Sequence, residues 1–323
     1  MSRIHEALKK AEEERASQAR VSHAGMSQAG TASEGTGKPT FATVAAEPPS
    51  FADELTPPSM PASAVSHPMP SFSSPFSLEA LRARCPQRPW KPDEKTMLFF
   101  NGNDTACGTE EFRTLRSRLY HAREKMTLKK ILVASALPKE GKSFTAANLA
   151  QVIVRQHDRR VLLIDADLRG PRLHLMLGTN DSPGLADYLQ GADDEFSIMQ
   201  RGPMENLFFI PSGRQINDPS ELVANGRLKL LLQRVEPLFD WIIIDSPPAV
   251  PVSDASVLAK ACDGVLMVVR SNATPVDMAR RAREEFPDQA LVGVVLNGMN
   301  ADSIPYTRYY YETYGKNLTE PKP

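Results

Sequence analysis

The chain has 323 residues, room for one large or two ordinary domains, with 41% hydrophobic and 24% charged residues. Its formal net charge of −1 gives no electrostatic basis for binding nucleic acid or an anionic membrane, so no nucleic-acid partner is expected. Three separated cysteines (Cys85, Cys107 and Cys262) form no CxxC pair, which argues against a disulfide framework or a zinc site. No apolar run approaches the ~20 residues of a membrane span, and MSRIHEALKKAEEER lacks the apolar stretch of a signal peptide. A cytoplasmic protein is expected.

Residues 1–20 predict a short amphipathic helix. Ile4, Ala7, Leu8 and Ala11 form a thin apolar stripe, and Glu6/Lys10 and Lys9/Glu13 are charge pairs four apart. The pattern suits a solvated helix and a docking peptide equally. Residues 21–92 are rich in Ser, Ala, Pro, Gly and Thr and predict a disordered tether, because they bury too little apolar surface to offset their ordering entropy.

Residues 93–300 predict a folded domain. LKKILVASAL, RRVLLIDAD, NLFFIPSG, WIIIDSPP, GVLMVVR and ALVGVVLNG are short, nearly continuous apolar runs, as in parallel strands covered on both faces. Helix-like stretches at 142–157, 219–235, 253–261 and 275–286 alternate with them. Asp218-Pro219-Ser220-Glu221 reads as a helix start, with a capping residue, proline at the first helical position and an acid at the third. The fold class is therefore α/β, a doubly wound, mostly parallel sheet whose ligand sits at the carboxyl ends of the strands. Residues 301–323 form a tail that holds five of the seven tyrosines: Tyr306, Tyr309, Tyr310, Tyr311 and Tyr314.

The first strand runs into Ala136-Leu137-Pro138-Lys139-Glu140-Gly141-Lys142-Ser143, the pattern GxxxxGK[ST] with alanine in place of the first glycine. Backbone N–H groups from Pro138–Phe144, proline excepted, and a helix N-terminus would cradle phosphate oxygens. Lys142 would reach the β and γ phosphates of ATP, and Ser143 would ligate Mg²⁺. Asp165 and Asp167 follow one strand and Asp245 ends another. Parallel topology brings these strand ends to the edge that carries the phosphate loop, where a carboxylate can hold Mg²⁺ or accept a proton. One such aspartate is weak evidence and three together are strong. His121, His157 and His174 have no metal-ligand spacing.

SALPKEGKS, VLLIDADLRGPR and WIIIDSPP resemble the Walker A, A′ and B motifs of the bacterial tyrosine kinases of capsule and exopolysaccharide assembly, relatives of the ParA/MinD ATPases. The resemblance runs from about Thr109 to Gly315 and takes in EEFRTLRSRL, GLADYLQG, DPSELV, VPVSDASVLAKACDG, VVLNG and the tyrosine-rich tail. It implies an ATP-dependent tyrosine autokinase that phosphorylates the tail tyrosines, largely between neighbouring subunits. Asp165 would accept the proton, while Asp167 and Asp245 would serve the metal with Ser143. Glu110, Arg113 and Arg116 match a helix used in subunit contacts within a ring or dimer; without the resemblance they would read as a solvated face. A membrane-embedded chain-length regulator would recruit the kinase to the inner face of the membrane and activate it, and a cognate tyrosine phosphatase would reset it. Lys139 stands where the family often has glycine. Two other readings stay open: a ParA/MinD-like ATPase, which would place a signature lysine where Leu137 stands, and a nucleotide-dependent scaffold for polysaccharide export.

Overall fold

The computed structural model describes residues 77–100, 108–287 and 290–299. The N-terminal helix expected at 1–20, residues 21–76 of the expected tether, Cys107 and the tail tyrosines lie outside the described residues. The tether reading runs too far at its C-terminal end. Helix α1, Leu78–Arg84, opens with Ser77, whose hydroxyl accepts from the Ala80 N–H at 3.2 Å, and Leu81 is fully buried. The following segment pairs Arg88 N–H to the Arg201 carbonyl at 2.9 Å, and buried Trp90 packs where a Cβ on Gly202 would stand 2.3 Å from its ring. Sparse apolar residues hid this attachment, because its partners lie more than a hundred residues downstream.

Helix α2 spans Thr109–Arg123. Then come strand β1, Lys130–Ser135, helix α3, Lys142–Val154, and strand β2, Val161–Asp165. Short helices α4, Leu173–Leu177, and α5, Leu185–Gln190, precede strands β3, Gln200–Arg201, and β4, Leu207–Ile210. The helix expected at 219–235 is two, α6 (Pro219–Ala224) and α7 (Arg227–Val235), broken at Gly226, whose φ of +81° suits glycine. Pro219 does occupy the first turn of α6, but the Asp218 side chain makes no capping bond. A 3₁₀ turn, Glu236–Leu238, leads to β5, Trp241–Asp245. The chain continues through α8, Asp254–Ala259, β6, Gly264–Arg270, α9, Val276–Glu284, and β7, Leu291–Asn297.

The sheet order is β3-β4-β2-β5-β1-β6-β7, parallel except for the β3–β4 pair. Alternation along each strand separates two cores. Leu132, Leu162, Ile164, Ile242 and Ile244 face one side with α5, α7 and α8, and Ile131, Val133, Leu163, Trp241 and Ile243 face the other with α2 and α3. Helix α3 is buried along nearly its whole length, which explains why its sequence shows little amphipathic pattern. Strands β2, β5 and β1 lie side by side in the middle, and β2 and β5 are in register at Asp165 and Asp245. The sheet thereby sets two carboxylates on neighbouring strands, about 4.8 Å apart in the hydrogen-bonding direction, beside the loop that leaves β1.

Candidate active site

The loop between β1 and α3 turns through two left-handed residues, Lys139 at φ 65° and Gly141 at φ 97°. Lysine in this region carries a conformational cost of about 1–2 kcal/mol that glycine would not. Gly141 is required twice over, since a Cβ there would also stand 2.0 Å from Asn297 Nδ2. That amide donates to the Glu140 carbonyl at 2.9 Å, and Arg270 donates to the Lys139 carbonyl at 3.1 Å. The buried Glu140 carboxylate accepts the Leu137 N–H at 2.8 Å and the Thr274 hydroxyl. The loop is thus tied to the ends of β6 and β7. Arg270, Thr274 and Asn297 escaped the sequence reading, because nothing local marks them as partners of residues over 130 positions away.

Helix α3 begins at Lys142, and its first intrahelical bond runs from Thr145 N–H to the Gly141 carbonyl. The N–H groups of Gly141, Lys142, Ser143 and Phe144 therefore have no acceptor within the helix, the arrangement that binds anions. The Phe144 ring packs on Phe112 with centroids 5.7 Å apart, so only its backbone belongs to the loop. Pro138 and Lys139 are exposed at the lip.

Lys142 Nζ lies 3.0 Å from Asp167 Oδ2, and both side chains are buried. Burial, the largest influence on Lys142, works to strip its proton, but Asp245 and Asp167 outweigh it and hold the ammonium's pKa above its ordinary value. Asp167 Oδ1 accepts the Gly170 N–H at 3.0 Å. Asp245 is fully buried, and neither of its oxygens has a hydrogen-bond partner of good geometry. Burial pushes it up to about 7 against the pull of Lys142; the Ser143 hydroxyl and Ser246 N–H also favour its charged form. Asp165 is also sealed from solvent. It accepts N–H groups of Asp167, Arg172 and Leu173 at 3.3, 3.2 and 3.1 Å, and burial, then Asp245, raises its pKa well above the carboxylate range.

The structure therefore brings Lys142, Ser143, Asp165, Asp167 and Asp245 together. It leaves Glu110, Arg113 and Arg116 elsewhere, on α2. Glu110 pairs with Arg113, and Arg116 donates to the Val152 carbonyl at 2.8 Å, near the far end of α3. Arg113, Arg116, Arg155, Phe99 and Val152 line a shallow cavity of about 260 Å³ there. Burial pushes the Cys85 thiol up to about 12 and the Cys262 thiol higher still, so neither is an activated nucleophile. Among the described residues, no group of three or more His, Cys, Asp or Glu side chains could hold a metal by itself. Hard oxygen donors are nonetheless present: the Ser143 hydroxyl, Asp167 and the unpartnered carboxylate of Asp245. That set suits Mg²⁺ completed by phosphate oxygens and water.

A phosphate loop entering a central helix, beside carboxylates on two adjacent parallel strands, defines a P-loop nucleotide-binding domain. Residues 129–277 match a family model described as AAA domain. The tyrosine-protein kinase YwqD of Bacillus subtilis is 33% identical over 207 residues, which cover 64% of this chain and 87% of that protein. The tyrosine-protein kinase wzc of Salmonella typhimurium is 32% identical over 223 residues, but this chain spans only 31% of its length. The solved kinase domain of the Escherichia coli tyrosine kinase ETK superposes with a TM-score of 0.57 at 30% identity, over 61% of this chain and 78% of that one. The chimerical protein CapA2B2 gives 0.60 at 26% identity, over 70% and 99%. The chain belongs to the bacterial tyrosine-protein kinases.

Proposed function

We propose that this chain is an ATP-dependent protein-tyrosine autokinase whose substrate is its own cluster of Tyr306, Tyr309, Tyr310, Tyr311 and Tyr314, and that it regulates the assembly and export of an exopolysaccharide or capsule. The observation that carries the reading is the buried Lys142–Asp167 pair at 3.0 Å beside Asp245, at the mouth of a phosphate loop. The relatives bearing the name tyrosine-protein kinase supply the phosphoryl acceptor. Leu137, where a partitioning ATPase would carry its signature lysine, is apolar and packs partly into the core. That favours the kinase over a ParA/MinD-like ATPase.

The backbone N–H groups at the start of α3 would bind the phosphates of ATP, and Lys142 would turn from Asp167 to the phosphate oxygens. Ser143, Asp167 and Asp245 would hold Mg²⁺, which would neutralise charge on those oxygens. Freed from Lys142, Asp167 would be placed for metal or water. Asp165 accepts the phenol's proton. A phenol near pKa 10 is mostly protonated at neutral pH and needs such an acceptor, and burial, which favours the protonated form of Asp165 in the nucleotide-free site, has to be offset before it can serve. Reaching it requires the segment over it to shift, because Asp165 is fully buried and accepts the N–H groups of Asp167, Arg172 and Leu173.

Transfer runs between subunits of a ring or dimer, with α2 at the contact. A membrane-embedded chain-length regulator recruits the kinase to the inner face of the membrane and activates it. Each phosphate adds about −1.5 to −2 charges, so modified tails repel one another and, when no metal masks it, the aspartate cluster, and leave; a tyrosine phosphatase restores them. The test replaces all five tail tyrosines with phenylalanine, which keeps the rings and removes the hydroxyls. Labelling from γ-labelled ATP should nearly vanish while ATP binding persists; undiminished labelling contradicts the proposal.

A further inference from the structure

The sheet fixes the strands but not all the carboxylates. The last ladder bond between β2 and β5 runs from Ala166 N–H to the Asp245 carbonyl at 2.9 Å. Asp167 stands beyond it, on a turn whose approach to the β5 side needs another constraint. Arg169 supplies one. Its Nε and Nη2 grip Asp254 at 2.8 and 3.3 Å, a two-pronged contact. Asp254 is the first residue of α8, on the connection that leaves Asp245, and is only 2% exposed. Ser220, in the first turn of α6, joins both: its hydroxyl lies 2.7 Å from Arg169 Nη2 and donates to Asp254 Oδ1 at 2.5 Å.

An exposed ion pair at this place would contribute little, but a nearly buried carboxylate held by two N–H donors and a hydroxyl is a different case. Removing the arginine would leave Asp254 as an unpaired charge in the protein interior. The three residues come from the connections after β2, β4 and β5, and the two that carry Asp167 and Asp245 are joined directly.

We propose that Arg169, Asp254 and Ser220 form a clamp that sets the distance between Asp167 and Asp245, making Arg169 a positioning residue for the metal-bound nucleotide. The proposal rests on the nucleotide reading above but not on the identity of the phosphoryl acceptor. Groups that orient metal ligands from behind typically change metal affinity or activity by about 10–100-fold when removed. Arg169→Ala should therefore reduce the gain in ATP affinity that Mg²⁺ confers by about tenfold or more, and slow phosphate transfer with it. ATP affinity measured in EDTA should stay as in wild type. Arg169→Lys should recover part of the loss, since it restores charge without the planar fork.

The experiment is calorimetric titration of ATP into the full chain with and without Mg²⁺, alongside γ-labelled ATP transfer and thermal unfolding without nucleotide. If Arg169→Ala folds poorly, Arg169→Ala/Asp254→Asn removes the unpaired buried charge and should show the same Mg²⁺-specific loss at near wild-type stability. Wild-type Mg²⁺ dependence in either variant overturns the clamp, as does a loss equally large in EDTA. If wild type transfers no phosphate yet loses its Mg²⁺ dependence on mutation, the kinase reading fails and the clamp stands.

Discussion

Asp245→Asn should make the nucleotide-free protein more stable near pH 8 while disabling the site. The buried carboxylate is pushed from 3.8 up to about 7, so its folded pKa lies above its unfolded one and the folded state holds a proton that the unfolded state has released. Its contribution to stability is therefore complete below about pH 4, falls as the pH rises to about 7, and is flat above. At ~1.36 kcal/mol per pKa unit, the full cost of ionising it is about 4 kcal/mol. Asparagine avoids that cost, which is already net of the pull of Lys142, but leaves an amide short of partners, which brings the expected net gain to about 2 kcal/mol. For a domain of this size that is roughly 4–8 °C in Tm. Thermal unfolding of wild type and Asp245→Asn without nucleotide, at pH 5 and pH 8, is the assay. The advantage of the variant should be large at pH 8 and shrink at pH 5, where wild-type Asp245 is protonated. A variant less stable than wild type at pH 8, or a pH-independent difference, would refute the reasoning.

Three further outcomes follow from the geometry. Leu81→Ala should destabilise the domain by about 2–5 kcal/mol in denaturant unfolding, because α1 belongs to the core and a cavity would replace a fully buried side chain; a loss under 0.5 kcal/mol would return that helix to the tether. Gly141→Ala should cost at least about 1–2 kcal/mol from its positive φ alone and weaken ATP binding, since Asn297 must yield; wild-type affinity would show that the loop does not depend on that contact. Mixing a Lys142→Met subunit that keeps its tail with an active subunit whose five tail tyrosines are phenylalanine should label the inactive subunit, and Arg113→Ala should weaken this; an unlabelled inactive subunit, where wild type labels itself, excludes transfer between subunits.

The strands and the phosphate loop were legible because both are local. Apolar runs such as WIIID need no distant information to read as buried parallel strands, and PKEGKS followed by a helix carries its chemistry in one stretch. Asp165, Asp167 and Asp245 were legible through topology, since parallel strands share a carboxyl edge. The boundary at residue 77 was not, because α1 is held by packing, and the segment after it by pairing to β3 at Gln87 and Arg88, rather than by its own composition. The split of α6 from α7 was signalled by Gly226 and still read through, since the leucines of α7 continue the helical period across it. Arg169, Ser220, Asp254 and Asn297 fall within the stretches that carry the resemblance, but their contacts, like those of Arg270 and Thr274, were invisible for another reason. Each is a common polar residue that acquires a function only from a partner brought by the fold.

The most direct measurement is incorporation of phosphate from γ-labelled ATP into the purified chain, with its position read by mass spectrometry, for wild type and Lys142→Met. Wild type should carry phosphate on the tyrosines between 306 and 314, and Lys142→Met alone should carry none while remaining folded. Phosphate confined to Tyr120, Tyr188 or hydroxyls elsewhere, or undiminished labelling of Lys142→Met, would contradict the account.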